Sequence, residues 1–403
     1  MNDTKTTVNN DLPQIPVRKC PYRAPTEAAA LREHGTVFKA QLPDGREAWV
    51  VSGYDQVRQA LANEELSSDR RHPNSPLRVA LPKDPESMRQ RASLGEALIG
   101  VEGPEHSRQR RMLIPSFSLK RINKLRPGIQ TVVDERIDAM LDAGAPIDLM
   151  ENFALPIPSI VICELLGVPY ADHKFFEEKS RLRLDQERGG AALVELHDYL
   201  ARLVEAKKAE PGDGLLDDLI GTRLASGETT EAEIVSFALV LLIAGHDTTA
   251  NMLTLGTAAL LEHPDQLAAL QADPELMPGA VEELMRYVSM VPGLPRVATR
   301  DIEIDGHVIP ADSGIMVSTA SANLDPGLID RPDELDVRRF VRGHVGFGHG
   351  VHQCLGQSLA RAELEIGFAS LFERIPTLRF AEPPEAMPRN IIGFGLQQLM
   401  VAW

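Results

Sequence analysis

The hydrophobic positions of this chain recur mainly with the spacing of α-helices. The longest nearly apolar stretch covers residues 234–245, which is shorter than the roughly 20 residues needed to cross a bilayer. Thr230 and Glu233 form a capping box before this stretch, and His263-Pro264 is a stop signal after it. The pattern therefore predicts one long, buried core helix over 231–262.

The rest of the chain shows further helical segments and a few short strands. Helical periodicity predicts helices near 104–119, 121–142, 153–166, 172–187, 191–209, 275–290 and 355–373. Turn residues between alternating segments predict hairpins of 37–42 with 47–52 and of 302–304 with 308–309, and a strand over 314–321. The sequence thus predicts a mainly α fold with small β-sheets, as a single domain over 24–403 after an extended N-terminal segment, 1–23.

Composition narrows the class of protein. The 403 residues are 43% hydrophobic and 25% charged, as in ordinary globular proteins. The net charge of -16 argues against nucleic acid or a membrane surface as partner. Cys20, Cys163 and Cys354 form no C-x-x-C pair, which fits a reducing compartment, and the first 35 residues contain no continuous apolar signal region. We therefore expect a cytoplasmic protein.

The segment 347–356 combines glycines with a cysteine at the start of an amphipathic helix. Glycines let a backbone approach a ligand closely, and the positive end of a helix lowers the pKa of a thiol below its usual ~8.5. A thiolate is the form of cysteine that ligates iron. The pattern favours Cys354 as a metal-ligating thiolate over a buried, inert cysteine, because no packing argument requires all these features together.

Polar residues interrupt the predicted core helix at Asp247 and Thr248. Both residue types are unfavourable inside a buried helix unless their polar groups are satisfied. A local widening of the helix would let a small ligand lie beside them, and the hydroxyl and carboxylate would relay protons to it. The alternative is a solvated patch, and the apolar runs on both sides argue against it.

Two pairs of charged residues indicate a function less strongly than the cysteine loop and the polar residues of the core helix do. Glu283 and Arg286 lie at i and i+3 on one helix face, a pairing that is common on exposed helices and worth only ~0.2–0.5 kcal/mol. His106 and Arg110, at i and i+4, can grip an anionic group from one side. Taken singly, each of these residues is an ordinary solvated side chain.

Together these segments resemble the cytochrome P450 family, the haem-thiolate monooxygenases, and most of all its soluble bacterial members. The resemblance runs from about residue 24 to residue 403. The loop over 347–356 matches the family pattern F-G-x-G-x-H-x-C-x-G at every fixed position, and the A-G-x-D-T and E-x-x-R motifs precede it in the family's order. The resemblance implies a cytochrome P450 fold in which the long helix crosses over the haem.

The resemblance also implies roles for individual residues. Cys354 would be the axial ligand of the iron in haem b, and Asp247 and Thr248 would deliver protons beside O2. Glu283 and Arg286 would lock the core behind the cysteine loop. The residues implied for the haem propionates are His106, Arg110, Arg296 and His352. Those implied for the O2 space and the haem-binding loop are Ala244, Gly245, Phe347, Gly348 and Gly356.

One position departs from the family pattern. The family usually completes the E-x-x-R ion pair with an arginine in a P-x-R-F segment, and Glu334 stands where that arginine is expected. Arg338 or Arg339 can supply the third charge instead, and Arg339 is the preferred candidate.

By resemblance, the reaction inserts one oxygen atom from O2 into a C–H bond or a double bond of an apolar or amphipathic organic substrate. NAD(P)H would supply the electrons through an external ferredoxin and its reductase, because the chain contains no flavin or iron–sulfur sequence. A monomeric enzyme of secondary metabolism is expected. The resemblance places Leu294, Val297, Ile392 and Phe394 in the substrate pocket, under lids formed by 71–100 and 175–210.

Three alternatives remain beside this interpretation. A cysteine hydrolase would use Cys354 as nucleophile and His352 as base, but residues two apart cannot easily meet across a helix start. A haem-thiolate protein without turnover would not need Asp247 and Thr248. A peroxide-using haem-thiolate enzyme would bypass the electron partners, and the intact acid–alcohol pair argues against it.

The charge pattern suggests where an electron partner docks. The chain carries seven basic and no acidic residues over 106–126, and four basic and no acidic residues over 337–362. If both stretches flank the cysteine side of the haem, an acidic ferredoxin would be steered there.

Overall fold

The structure is a computed structural model that describes residues 12–77, 97–182, 188–386 and 395–403. Its α-helices are α1 Thr26–Ala29, α2 Tyr54–Ala62, α3 Gly103–Leu113, α4 Leu119–Ala143, α5 Pro156–Leu166, α6 His173–Leu182, α7 Gly189–Ala209, α8 Leu215–Asp218, α9 Glu231–Glu262, α10 Pro264–Ala272, α11 Met277–Val288, α12 Thr319–Asn323 and α13 Gln357–Arg374. Its strands are β1 Val37–Gln41, β2 Glu47–Val51, β3 Leu66–Ser67, β4 Ile147–Asp148, β5 Leu294–Ala298, β6 Ile302–Ile304, β7 His307–Ile309, β8 Gly314–Val317, β9 Arg379–Phe380, β10 Glu385–Ala386, β11 Leu396–Gln398 and β12 Met400–Ala402.

The chain divides into two compact units. The first comprises Met1–Val79, Leu255–Cys354 and Ala386–Gln397, and the second comprises Ala80–Thr254, Leu355–Glu385 and Gln398–Trp403. The first unit contains a five-stranded sheet in the order β1-β2-β8-β5-β3. Its β2 and β8 are parallel, with Trp49 opposite Ile315, and the other neighbouring strands are antiparallel. Val57 and Leu61 of α2 pack in one buried cluster with residues of this sheet and of the β6–β7 hairpin.

The second unit is mainly helical. Its α4 and α13 pack against each other, with Ile129 and Val133 on one helix and Phe368 and Leu371 on the other fully buried. Gln130 donates to the Ser370 hydroxyl between these helices at 2.9 Å. A small sheet in the order β4-β12-β9 completes the unit.

The long helix α9 confirms the predicted bounds, since it runs over all 32 residues from Glu231 to Glu262. The Thr230 hydroxyl accepts a hydrogen bond from the Glu233 backbone at its start, 3.2 Å apart, as a capping residue does. By length and composition α9 could cross a membrane, but 56% of its most apolar window is buried inside the protein, as in a core helix.

Two sequence predictions need correction. The strand expected over 314–321 ends at Val317, because the Ser318 side chain accepts from the Ser321 backbone and caps α12. The sequence also did not predict β5, where Pro295 lies opposite Met316 between two other strands. Of the lid expected over 71–100, residues 78–96 lie outside the described part of the chain.

Candidate active site

The cysteine loop holds its backbone in place with its own hydrogen bonds. The Cys354 N–H donates to the Phe347 carbonyl at 2.9 Å, and Gln353 N–H donates to the Gly350 carbonyl at 3.0 Å. Phe347 itself is buried, whereas Cys354 is half-buried and forms no disulfide. The loop therefore presents one partly accessible sulfur from a fixed backbone, just before Gly356 caps α13.

Two glycines give the loop its shape. Gly348 and Gly350 have φ angles of +71° and +73°, in the left-handed region that residues with side chains rarely adopt. A side chain at Gly350 would also collide with the Leu61 carbonyl oxygen at the end of α2. A side chain at Gly348 would only reach van der Waals contact with Leu294, at 3.8 Å. The loop and α2 thus touch through their main chains.

Glu283 and Arg286 form a fully buried ion pair in the first unit. Both side chains are 0% exposed, and the guanidinium donates two parallel hydrogen bonds of 2.7 Å to the carboxylate. The guanidinium also donates to three backbone carbonyls, those of Asn323, Pro332 and Glu334, at 3.1, 2.5 and 3.1 Å. The pair is therefore structural, because its hydrogen bonds tie α11 to two other parts of the chain.

Arg339 supplies a third charge near this pair. Its Nη1 lies 3.8 Å from Glu283 Oε1 and donates to the Arg331 carbonyl at 3.0 Å. Arg338 is exposed instead. Glu334, which stands at the departure from the family pattern, pairs with Arg331 at the surface, 2.5 Å away.

Asn323 connects the buried ion pair to the cysteine loop, and the sequence analysis did not identify it. Its carbonyl accepts from Arg286, and its side-chain oxygen accepts from the Val345 N–H at 2.7 Å. The Val345 carbonyl in turn accepts from the Gly348 N–H at 2.9 Å. A buried asparagine at the end of a short helix has no distinctive sequence pattern, so only the structure reveals this link.

In the second unit, Thr248 and Asp247 lie on α9. The Thr248 side chain is exposed, and its hydroxyl donates to the Ala244 carbonyl at 2.7 Å. One carboxylate oxygen of Asp247 lies 3.9 Å from His246 Nε2, and its side chain is 25% exposed. The helix α9 is α-helical at all of its residues. A local widening at Asp247 and Thr248 is therefore not produced by a π-helical turn. The back-bond to Ala244 satisfies the hydroxyl instead.

Gly245 is explained by helix packing. A side chain built at this position would approach the Ile162 Cδ1 atom of α5 to 3.3 Å. Glycine therefore lets α9 and α5 approach closely on that side. Space for O2 at Gly245, which the family pattern implies, stays a prediction.

His106 and Arg110 lie close enough for the charge of Arg110 to act on the imidazole. Burial of His106, which is 3% exposed, and the charge of Arg110 both lower the pKa of this histidine. The imidazole is therefore neutral at neutral pH and can donate one hydrogen bond. The charge of Arg110 and the hydrogen-bond donor of the neutral imidazole would both favour an anionic group.

The other predicted residues lie around the five-stranded sheet of the first unit. Arg296 is a buried arginine on β5, with Nη1 donating to the Pro295 carbonyl at 2.8 Å, and His352 Nε2 lies 3.5 Å from the Ser68 hydroxyl. Leu294 lies beside Gly348, and Val297 is 2% exposed within the sheet. Ile392 and Phe394 lie outside the described residues.

Glu363 is a buried acid on α13 that the sequence analysis missed. It is 3% exposed, its Oε2 atom has no hydrogen-bond partner among the described residues, and burial raises its pKa well above the usual value. A signal existed, because Leu359, Ala362 and Ile366 place Glu363 on the apolar face of the helix.

These groups fit the haem that the motif implies. A half-buried cysteine that forms no disulfide, on a glycine-shaped loop, is a ligand suited to haem iron. The Arg110 charge beside the neutral His106 imidazole suits an anion such as a carboxylate, because the one supplies charge and the other a hydrogen-bond donor. No acid lies within the cysteine loop to oppose a bound anion.

Comparison with known proteins agrees with this chemistry. The sequence model of the family described as Cytochrome P450 matches residues 178–398. Pentalenic acid synthase of Streptomyces avermitilis is 53% identical over 92% of this chain and 92% of its own length. Vitamin D3 dihydroxylase of Streptomyces griseolus is 45% identical over the full length of both chains.

Solved structures show the same fold. Cytochrome P450 MoxA of Nonomuraea recticatena superposes with a TM-score of 0.89 at 43% identity, covering 97% of this chain and 98% of its own. Mycinamicin VIII C21 methyl hydroxylase of Micromonospora griseorubida, solved bound to mycinamicin VIII, gives 0.87 at 39% identity and covers 97% and 100%. The mainly α fold with small sheets is therefore confirmed.

Proposed function

This chain belongs to the cytochrome P450 family, and we propose that it hydroxylates or epoxidises an apolar or amphipathic molecule with electrons from a ferredoxin and its reductase. The family shows the general activity, which is that of a haem-thiolate monooxygenase acting on organic substrates. Enzymes of this family use haem b and O2, and they receive electrons from NAD(P)H through redox partners. The observation that carries the proposal is the half-buried Cys354 sulfur, which takes part in no disulfide and lies on a hydrogen-bonded loop.

The substrate class is inferred from the relatives. Their names describe a pentalenic acid synthase, a vitamin D3 dihydroxylase and a mycinamicin VIII C21 methyl hydroxylase. We take from them an apolar polycyclic or macrocyclic substrate, oxidised in secondary metabolism. Leu294 and Val297 would contribute apolar surface to its pocket. The acidic surface charge and the largely buried α9 support a soluble, cytoplasmic enzyme, which we take to be a monomer.

Insertion of an oxygen atom from O2 is the chemistry that haem b supplies when bound. Cys354 would ligate its iron through the thiolate. His106, Arg110, Arg296 and His352 would hold its two carboxylates by hydrogen bonds and charge.

Thr248 would move the proton that the reaction needs. A hydroxyl has one proton and two acceptor sites, and in this structure the proton is directed at the Ala244 carbonyl. Rotation about the Cβ–Oγ1 bond redirects that proton away from the helix. The carboxylate of Asp247 would take up a proton from solvent and pass it on, so that the Thr248 hydroxyl regains the proton it gives away. The exposure of the Thr248 side chain supports this role, because the described residues leave its hydroxyl accessible.

The ferredoxin is inferred from surface charge. In the basic stretch over 106–126, Arg108, Arg121 and Arg126 are paired with acids elsewhere in the second unit. Arg111, Lys120 and Lys124 are exposed and have no ion pair with the described residues. The basic surface is therefore smaller than the sequence predicts, but it still fits an acidic electron donor.

A carbon monoxide spectrum and a reconstituted turnover assay test the proposal. We expect the reduced, purified protein to show the band of thiolate ligation, and apolar polycyclic compounds to shift the Soret band. With NADPH, ferredoxin and reductase, oxygen from labelled O2 should appear in the product. Product formation with hydrogen peroxide but not with the protein donors would contradict the proposal.

Charge reversal tests the electron donor. We expect Arg111→Glu to slow reduction by ferredoxin at low salt and to leave substrate affinity unchanged. Arg223→Glu is the control, because Arg223 pairs with Glu228 outside this basic stretch. Equal reduction rates for wild type and Arg111→Glu, without salt dependence, would show that the donor docks elsewhere.

A further inference from the structure

Phe340 is an exposed aromatic side chain on the segment that leads to the cysteine loop. Its exposed fraction is 56%, and the Arg342 guanidinium lies 4.7 Å from the centre of its ring. A single exposed apolar side chain is common on protein surfaces and has no meaning by itself. Phe340 differs because hydrogen bonds fix its backbone and because exposed arginines lie two residues away on both sides of it in sequence.

Hydrogen bonds fix the segment on both sides of Phe340. The Val337 N–H donates to Gln266 Oε1 at 3.0 Å on one side. On the other side, the Tyr54 hydroxyl donates to the Gly343 carbonyl at 2.8 Å, and Val345 N–H donates to Asn323 at 2.7 Å. A side chain on such a segment loses little conformational entropy when a partner binds it.

The charge around Phe340 selects the kind of partner. Arg338 and Arg342 are exposed, and neither has an ion pair with the described residues. No acidic residue occurs over 337–362, although the chain has a net charge of -16. A symmetric contact with a second copy would bring these arginines towards each other and is disfavoured. An acidic protein with an apolar depression fits this surface.

We propose that Phe340, with Arg338 and Arg342 beside it, is the apolar anchor for an acidic electron-transfer protein. Aromatic and arginine side chains are the residue types that dominate binding energy at protein interfaces. The surface belongs to the same compact unit as Cys354. This inference rests on the proposed function, since it names the surface at which the proposed electron donor binds.

Reduction kinetics of the haem-loaded enzyme test the anchor. The probe is a plant-type two-iron ferredoxin with its NADPH-dependent reductase, used at increasing concentration and at low and high salt. The variants are Phe340→Ala, Phe340→Tyr and Arg342→Gln. Val308→Ala is the matched control, because Val308 is 59% exposed on β7. Haem content and reduction by dithionite report on the integrity of each variant.

We expect Phe340→Ala to raise the apparent Kd for ferredoxin about tenfold at both salt concentrations, because it removes an apolar contact. Phe340→Tyr should retain the affinity. Arg342→Gln should weaken binding at low salt and approach wild type at high salt, because charge attraction is screened. Val308→Ala should behave as wild type.

Other results would overturn the inference. If ferredoxin reduces wild type and Phe340→Ala with the same apparent Kd, the anchor is refuted and the proposed function stands. If dithionite reduction also slows, Phe340 has a structural role instead. If ferredoxin does not reduce a wild type that shows the thiolate spectrum, the proposed donor itself is refuted. If sedimentation shows a wild-type dimer that Phe340→Ala dissociates, a second copy covers this surface.

Discussion

Replacing Arg286 with methionine tests whether the buried ion pair maintains the fold around the cysteine loop. The substitution leaves the Glu283 carboxylate at 0% exposure without its principal partner. Arg339 cannot replace that partner, because its Nη1 lies 3.8 Å from the carboxylate and it has no bidentate geometry with it. Removal of one partner of a buried pair costs about 3–5 kcal/mol.

The carbonyls of Asn323, Pro332 and Glu334 raise this figure. Each loses a hydrogen bond from the guanidinium, but only the bond to Asn323 is fully buried, and an unsatisfied buried acceptor costs about 1–3 kcal/mol. The Glu334 carbonyl keeps a hydrogen bond from Arg339 at 3.4 Å. We therefore expect Arg286→Met to lower the free energy of unfolding by at least about 4 kcal/mol, which is a large part of the 5–15 kcal/mol typical of a folded protein. Because Asn323 also holds Val345, the cysteine loop should lose its hydrogen-bonded shape.

Urea unfolding followed by circular dichroism measures the first effect, and the carbon monoxide spectrum measures the second. The control is Arg331→Met, because Arg331 and Glu334 form an Arg–Glu pair with three-residue spacing at the surface, 65% and 52% exposed. That pair should be worth less than about 1 kcal/mol. Equal loss of stability in the two variants, or a loss below about 1 kcal/mol for Arg286→Met, would refute this reasoning.

Three further substitutions test single groups. Cys354→Ser should lose the thiolate-type carbon monoxide spectrum, because a hydroxyl does not ionise near neutral pH, and its retention would contradict the ligand assignment. Thr248→Ala should bind substrate but form less product per NAD(P)H consumed, because the proton at Oγ1 is lost; Thr222→Ala, which removes a similar back-bonded hydroxyl, should not. Glu363 has a pKa raised by burial, so its stabilising contribution is complete below its unfolded pKa of ~4.3 and is lost as pH rises through its folded pKa. Urea unfolding should therefore show Glu363→Gln gaining stability over wild type with rising pH, and a constant difference would contradict the raised pKa.

Local signals were enough to predict the long helix. A capping box at Thr230 and a proline at 264 define its ends, and both act within one turn of the chain. The strand β5 was missed because Pro295 weakens a strand signal, whereas pairing with β8 and β3 stabilises it. That stabilisation comes from residues distant in sequence, which a local pattern does not contain.

The candidate site shows the same division. The motif around Cys354 predicts a fixed loop because its glycines are needed for backbone reasons that act locally. The choice between Arg338 and Arg339 depends on which side chain points towards Glu283, and neighbouring residues in an irregular segment do not reveal that. Similarly, the paired state of Arg121 depends on Asp213, which lies in a different part of the chain. Residue types identify candidate functional side chains, and tertiary contacts decide which of these side chains are already paired within the protein.

Gly348 and Gly350 of the cysteine loop differ in which other residue types can replace them. Gly348 needs only a left-handed backbone, which asparagine also adopts, and a Cβ there would make only ordinary van der Waals contacts. Gly350 faces the Leu61 carbonyl oxygen and lies where a Cβ would be 2.9 Å from the Ala62 Cα. Because both obstacles are main-chain atoms, no second mutation that shortens a side chain can make room. A library that randomises both codons should therefore return asparagine at position 348 among its functional clones and glycine alone at position 350.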